Sequence, residues 1–91
     1  MKMFITARLN EAVAKHEGMA KAVTEAAQRF IAGDWGHVPE EDKKANDRDL
    51  LARCGHVLGR YKSLDGDLYI NLEFGATEDD DTAVIMYRDE Y

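Results

Sequence analysis

The sequence predicts an α+β domain in which two or three N-terminal helices pack on a three-stranded antiparallel β-meander. Three observations predict it. Apolar residues recur at spacings of three and four from Asn10 to about residue 32, as one face of a helix does. Leu68, Ile70, Leu72 and Phe74 alternate with Tyr69, Asn71 and Glu73, as a strand with one buried face does. Asp65-Gly66 sits between two β-rich runs, a hairpin signal. Helices followed by consecutive strands give a two-layer α+β sandwich, and 91 residues make one domain, 1–91.

The elements follow in order. "MFITARL" carries enough apolar and β-branched residues for a short strand or an extended arm. Asn10 is a plausible helix N-cap. Ala12, Val13, Met19, Ala22, Val23, Ala26, Ala27, Phe30 and Ile31 form the apolar stripe. Gly18 divides it into helices near 10–16 and 19–32, or sits within one continuous helix at a cost of about 1 kcal/mol relative to Ala. Gly33 stands where a helix end favours a left-handed residue. The only Pro, Pro39, suits a first helical position, and Glu40, Glu41 and Asp42 oppose the positive end of the helix dipole. That helix runs to about Arg53, with Ala45, Leu50, Leu51 and Cys54 as apolar contacts, and Gly55 stops it. "HVLGRYKSL", "DLYINLEF" and "TAVIMYR" are the three strands.

Composition narrows the class. The chain is 45% apolar and 33% charged, which supports a core and argues against disorder. No apolar run approaches the roughly 20 residues that span a bilayer, and "MKMFITARLNEAV" lacks the long apolar region of a secretory signal. A cytoplasmic protein without membrane partners is expected. A domain this small has little room for a deep cavity, and homodimerisation is one way to bury more surface.

Charge is unevenly spread. Residues 63–91 carry Arg88 against Asp65, Asp67, Glu73, Glu78, Asp79, Asp80, Asp81, Asp89 and Glu90, so the net charge of −6 arises in the last third. Such a field disfavours nucleic acid and attracts basic protein surfaces. The plainer reading is a solvated acidic edge.

Asp34, Trp35 and His37, with Asn46 and Asp47 in the next helix, read either as an acid–base pair with an orienting amide or as a structural corner. The corner is favoured. Trp35 caps the core against Phe30, Leu50 or Leu51, its indole N–H needs an acceptor, and Asn46 or Asp47 supplies one or pins the loop backbone. His16, His37, His56 and Cys54 lack the spacing of a zinc site. Asp79–Asp81 lacks the alternating ligands of a calcium loop. Cys54 reads as a buried thiol at a helix end. Gly33 and Gly36 bracket a Trp rather than a phosphate loop, and no aromatic-basic platform for nucleic acid appears. No catalytic residue, metal or cofactor is expected.

The order "GDWG", "PEEDKKAND", "LGRY", "DG" and "TAVIMYRDEY" resembles a family of small proteins encoded on bacterial plasmids and other mobile elements, some labelled as restriction-system or plasmid-related proteins. The likeness spans roughly residues 30–91. The family's "I-T-E-A-D-R-S"-like segment before the last strand is replaced here by the longer, more acidic "NLEFGATEDDD". The resemblance brings no catalytic residues. By analogy of setting, it implies a protein-binding inhibitor of a CRISPR or restriction nuclease, an anti-CRISPR or antirestriction protein. Glu73, Glu78, Asp79, Asp80 and Asp81 would then be the contact residues, and Asp65 and Asp67 a second patch. The alternative is a generic accessory or regulatory module acting by dimerisation or protein binding.

Overall fold

The computed structural model describes all residues from 1 to 91 and has three helices against a four-stranded mixed sheet. In chain order these are β1 (Lys2–Ile5), α1 (Ala7–Lys15), α2 (Glu17–Ile31), α3 (Glu40–Ala52), β2 (His56–Ser63), β3 (Gly66–Glu73) and β4 (Thr82–Tyr87). Short 3-10 turns at Glu78–Asp80 and Arg88–Glu90 flank β4. The α+β class agrees with the sequence; the sheet does not match a three-stranded meander. The strand order is β1-β4-β3-β2, and β1 lies parallel to β4, with Lys2 opposite Thr82 and Ile5 opposite Ile85. The "MFI" segment is therefore a strand, and a strand precedes the helices. Its partner is at the far end of the chain, which no local pattern reveals.

Alternation decides which face is covered. Val57 and Tyr61 of β2, Leu68, Ile70 and Leu72 of β3, and Ala83, Ile85 and Tyr87 of β4 point to one face and are buried. Leu9 of α1 and Met19, Ala26 and Phe30 of α2 close over them. Gly59 lies between Val57 and Tyr61 on that face, and a Cβ there would strike the Tyr61 ring, which lies back along its own strand. No helix of the structure is long and apolar enough to cross a membrane.

Several boundaries shift from expectation. The first helix begins at Ala7, with Thr6 rather than Asn10 as its N-cap; the Thr6 hydroxyl accepts from the Leu9 N–H at 3.4 Å. The stripe of residues 10–32 is two helices, broken at His16, whose backbone is extended (φ −132°). Gly18 falls in the first turn of α2 rather than at the break. The break therefore turns on His16, which ends one helix and caps the next. Pro39 is the N-cap of α3 rather than its first residue. That helix ends at Ala52 because Arg53 adopts the left-handed conformation (φ 54°), so the stop precedes Gly55. Cys54 is exposed, not buried.

Candidate functional site

The corner between α2 and α3 fixes where α3 stands. Gly33 takes a positive φ of 80° just beyond α2, as its position suggested. Asp34 follows, and its carboxylate accepts from Arg29 Nε at 2.7 Å and from the Gly36 N–H at 3.0 Å. The Arg29 guanidinium, helped by that amide, holds the Asp34 carboxyl below the usual carboxylate range. Asp34 is thus engaged by Arg29, and His37 lies exposed beside it. The Asp34 carbonyl accepts from the buried Tyr61 hydroxyl at 2.8 Å. Burial pushes that phenol well above its ordinary value, and the Asp34 charge adds to the shift.

Trp35 is buried edge-on against Phe30, with ring centroids 5.2 Å apart. Its Nε1 donates to Asp47 Oδ1 at 2.9 Å. Of the expected partners Phe30, Leu50 or Leu51, Phe30 makes the ring contact; Leu50 and Leu51 are 42% and 90% exposed. Asn46 faces elsewhere than the loop. Its Nδ2 donates to the Leu58 carbonyl at 2.9 Å and its Oδ1 accepts from the Leu58 N–H at 3.2 Å. Two residues further along β2, Arg60 N–H donates to the Trp35 carbonyl (3.0 Å) and His37 N–H to the Arg60 carbonyl (2.8 Å). β2 is an edge strand, and these four bonds occupy backbone groups that would otherwise be open to a foreign strand. Gly36 makes the approach possible: its φ is +75°, and a Cβ would fall on the Arg60 carbonyl.

The acidic third divides into committed and free groups. Asp67 pairs with Arg60 Nε at 2.6 Å, and Asp65 accepts from the Tyr87 hydroxyl at 3.1 Å. Burial, then the Asp65 bond, raises the Tyr87 phenol. Asp89 pairs with Arg8, while Glu90 accepts from Thr6 Oγ1 and from the Tyr87 N–H. Asp81 is buried and accepts from Arg53 Nη1 at 2.6 Å, Arg53 Nη2 at 2.9 Å and the Gly75 N–H at 2.8 Å. The Arg53 guanidinium holds its carboxyl below the usual range. Asp81 is accordingly a structural anchor, not a surface contact. Asp65 and Asp67, at the hairpin end, are likewise bonded internally. Glu73, Glu78 and Asp79 are exposed and make no ion pair, and Asp80 is bound only by the Thr77 hydroxyl at 3.2 Å.

Beside this acidic turn lies an open cleft of about 680 Å³, floored by Leu72 and lined by Met1, Leu50 and Leu51, with Asp47 and Glu78 on its rim. The sequence reading missed it. Its signal was the Leu50-Leu51 pair: adjacent helical residues point about 100° apart, so both cannot enter one core. No group of three or more His, Cys, Asp or Glu side chains is arranged to hold a metal ion. The chain matches no protein-family model, no curated protein and no solved structure.

Proposed function

We propose that the chain is a non-catalytic, protein-binding inhibitor that docks on a basic surface of a nucleic-acid-handling defence enzyme, of the CRISPR or restriction nuclease class. The observation that carries this reading is the placement of the uncompensated acids. Glu73, Glu78, Asp79 and Asp80 gather where β3 leaves the sheet and β4 enters it, and the Arg53–Asp81 pair fixes that connection to the end of α3. Charges held on a rigid frame lose less ordering entropy on binding than charges on a flexible tail. The resemblance of residues 30–91 to mobile-element proteins supplies the class of target.

The test is inhibition and capture of candidate nucleases at two salt concentrations, with wild type and a Glu78→Lys, Asp79→Lys variant. Binding that weakens with salt and with charge reversal, at unchanged melting temperature, is the expected outcome. Equal inhibition by the variant would remove the acidic turn from the mechanism. Binding of nucleic acid by the wild type would overturn the reading altogether.

A second reading, an accessory module acting by dimerisation, is favoured by β1. This strand is paired on one side only, and its Phe4 is 53% exposed. Sedimentation of wild type and of Phe4→Lys tests it: a dimer dispersed by the substitution supports it, and a monomer at all concentrations removes it.

A further inference from the structure

Exposed large apolar side chains are few in this molecule, and three of them converge. Met1, Leu50 and Leu51 are 48%, 42% and 90% exposed, and all three line the cleft floored by Leu72. An exposed leucine alone means little, but several around one concavity mark a surface built for contact. Arg53 ends α3 in the left-handed conformation and reaches Asp81 with two hydrogen bonds, so the wall carrying Leu50 and Leu51 is tied to the acidic connection opposite.

The rim sets the charge of the occupant. Arg53 and the Met1 ammonium both act on Asp81, and Asp47 is bonded to the Trp35 indole, which leaves Glu78 as the carboxylate without a partner on the rim, with Asp79 immediately beyond. The backbone sets its conformation. Leu72, the strand residue on the floor, is paired on both sides, with Val57 and with Ala83. The other wall is a helix. Neither the floor at Leu72 nor the α3 wall offers a row of free N–H and C=O groups to an extended peptide, which favours an occupant that satisfies its own backbone, as a helix does.

We infer that this cleft receives an amphipathic helix of a partner protein, one that presents two large aliphatic side chains a turn apart and carries Lys or Arg on its flanks. The cleft, of about 680 Å³, is open to solvent. The inference rests on the protein-binding reading above and supplies its apolar half. The acids steer and orient the partner, and the leucines hold it.

The probe is a fluorescently labelled, alanine-based helical peptide with lysines on its flanks and two leucines four residues apart. Anisotropy follows binding, and methyl NMR locates it. Saturable binding is expected, with shifts at Met1, Leu50, Leu51 and Leu72. The Leu50→Gln, Leu51→Gln variant keeps a good helix former at two exposed positions and should bind about tenfold more weakly, or worse, at unchanged melting temperature. Glu78→Lys should flatten the salt dependence. Equal affinity in the double Gln variant, shifts centred on the Val84 methyls of the opposite sheet face, or no saturation at millimolar peptide would each overturn the inference. Failure here is separable from failure of the inhibitor reading. A double Gln variant that still blocks a nuclease removes the cleft and leaves the acidic mechanism. Peptide held in the cleft, with no nuclease inhibited, does the reverse.

Discussion

Replacing Asn46 by alanine removes both hydrogen bonds that α3 makes to the edge of β2. In the folded protein the amide spans the Leu58 N–H and carbonyl, and the side chain itself is buried. Each such bond contributes about 1 kcal/mol net, and a buried group left without a partner costs about 1–3 kcal/mol. Water can reach part of the edge, so the expected loss is about 2–4 kcal/mol. In a domain of this size, that lowers the melting temperature by about 10–25 °C. The assay is thermal unfolding by circular dichroism, paired with hydrogen exchange at the Leu58 amide, which should lose protection selectively. Asn46→Asp sharpens the test. It keeps an acceptor for the Leu58 N–H but turns a second oxygen towards the Leu58 carbonyl. Burial and that repulsion raise the carboxyl's folded-state pKa. The deficit should therefore deepen as pH rises above about 4 and shrink as the group protonates. A melting temperature within about 2 °C of wild type for Asn46→Ala would refute the edge-clamp account.

Three further outcomes follow from the same geometry. Trp35→Ala should cost about 3–5 kcal/mol as a buried aromatic truncation, whereas Trp35→Phe keeps an aromatic ring and loses chiefly the bond to Asp47, about 1–2 kcal/mol; a wild-type urea midpoint for Trp35→Phe would contradict the role given to that bond. Gly36→Ala forces a side chain into a positive φ against the Arg60 carbonyl and should cost at least about 1–3 kcal/mol, read as a lower urea midpoint. In the wild type the depressed Asp81 carboxyl stabilises the fold above its unfolded value near 3.8, and this contribution is lost as pH falls through the lower folded value. Arg53→Met should abolish that acid-range loss, and a parallel pH profile for variant and wild type would show that the pair does not set it.

What was legible in the sequence is what local chemistry determines. The β2–β3 hairpin was legible from turn residues flanked by alternating strands, although the pair Ser63–Gly66 closes it around Leu64 and Asp65, one residue earlier than the Asp65-Gly66 of the sequence pattern. The α2–α3 corner was legible for the same reason: a glycine end signal, an indole that must find an acceptor and a proline start lie within seven residues of chain, from Gly33 to Pro39. The parallel pairing of β1 was not, because Lys2 meets Thr82 across nearly the whole chain. Asn46 and Asp47 were read together as loop supports, yet neighbouring helical positions diverge by about 100°. One consequently reaches β2 and the other the indole. The run Glu78–Asp81 read as one acidic patch. Its last member turns inward because β4 begins at Thr82 and Arg53, distant in sequence, stands opposite.

That inward turn changes how the charge of this protein should be understood. Six of the nine acids in residues 63–91 bond to groups of the same chain: Asp80 reaches only the Thr77 hydroxyl of its own turn, whereas Asp65, Asp67, Asp81, Asp89 and Glu90 reach other elements. These last five hold the hairpin, the end of α3 and the last turn in place, so removing them would disturb the scaffold as well as the field. The other four, Glu73, Glu78, Asp79 and Asp80, lie at one end of the sheet, next to the leucines of α3. Exposed charge acts mainly over distance and is screened beyond about 8–10 Å at physiological salt. Buried apolar contact acts only after encounter. A partner drawn to this end should therefore show a salt-dependent association rate governed by Glu78 and Asp79, and a dissociation rate that salt leaves largely unchanged and that rises when Leu50 and Leu51 are made polar. If charge reversal at Glu78 and Asp79 altered the dissociation rate alone, these acids would have to be desolvated members of the interface, and the division of labour between acidic turn and cleft would be wrong.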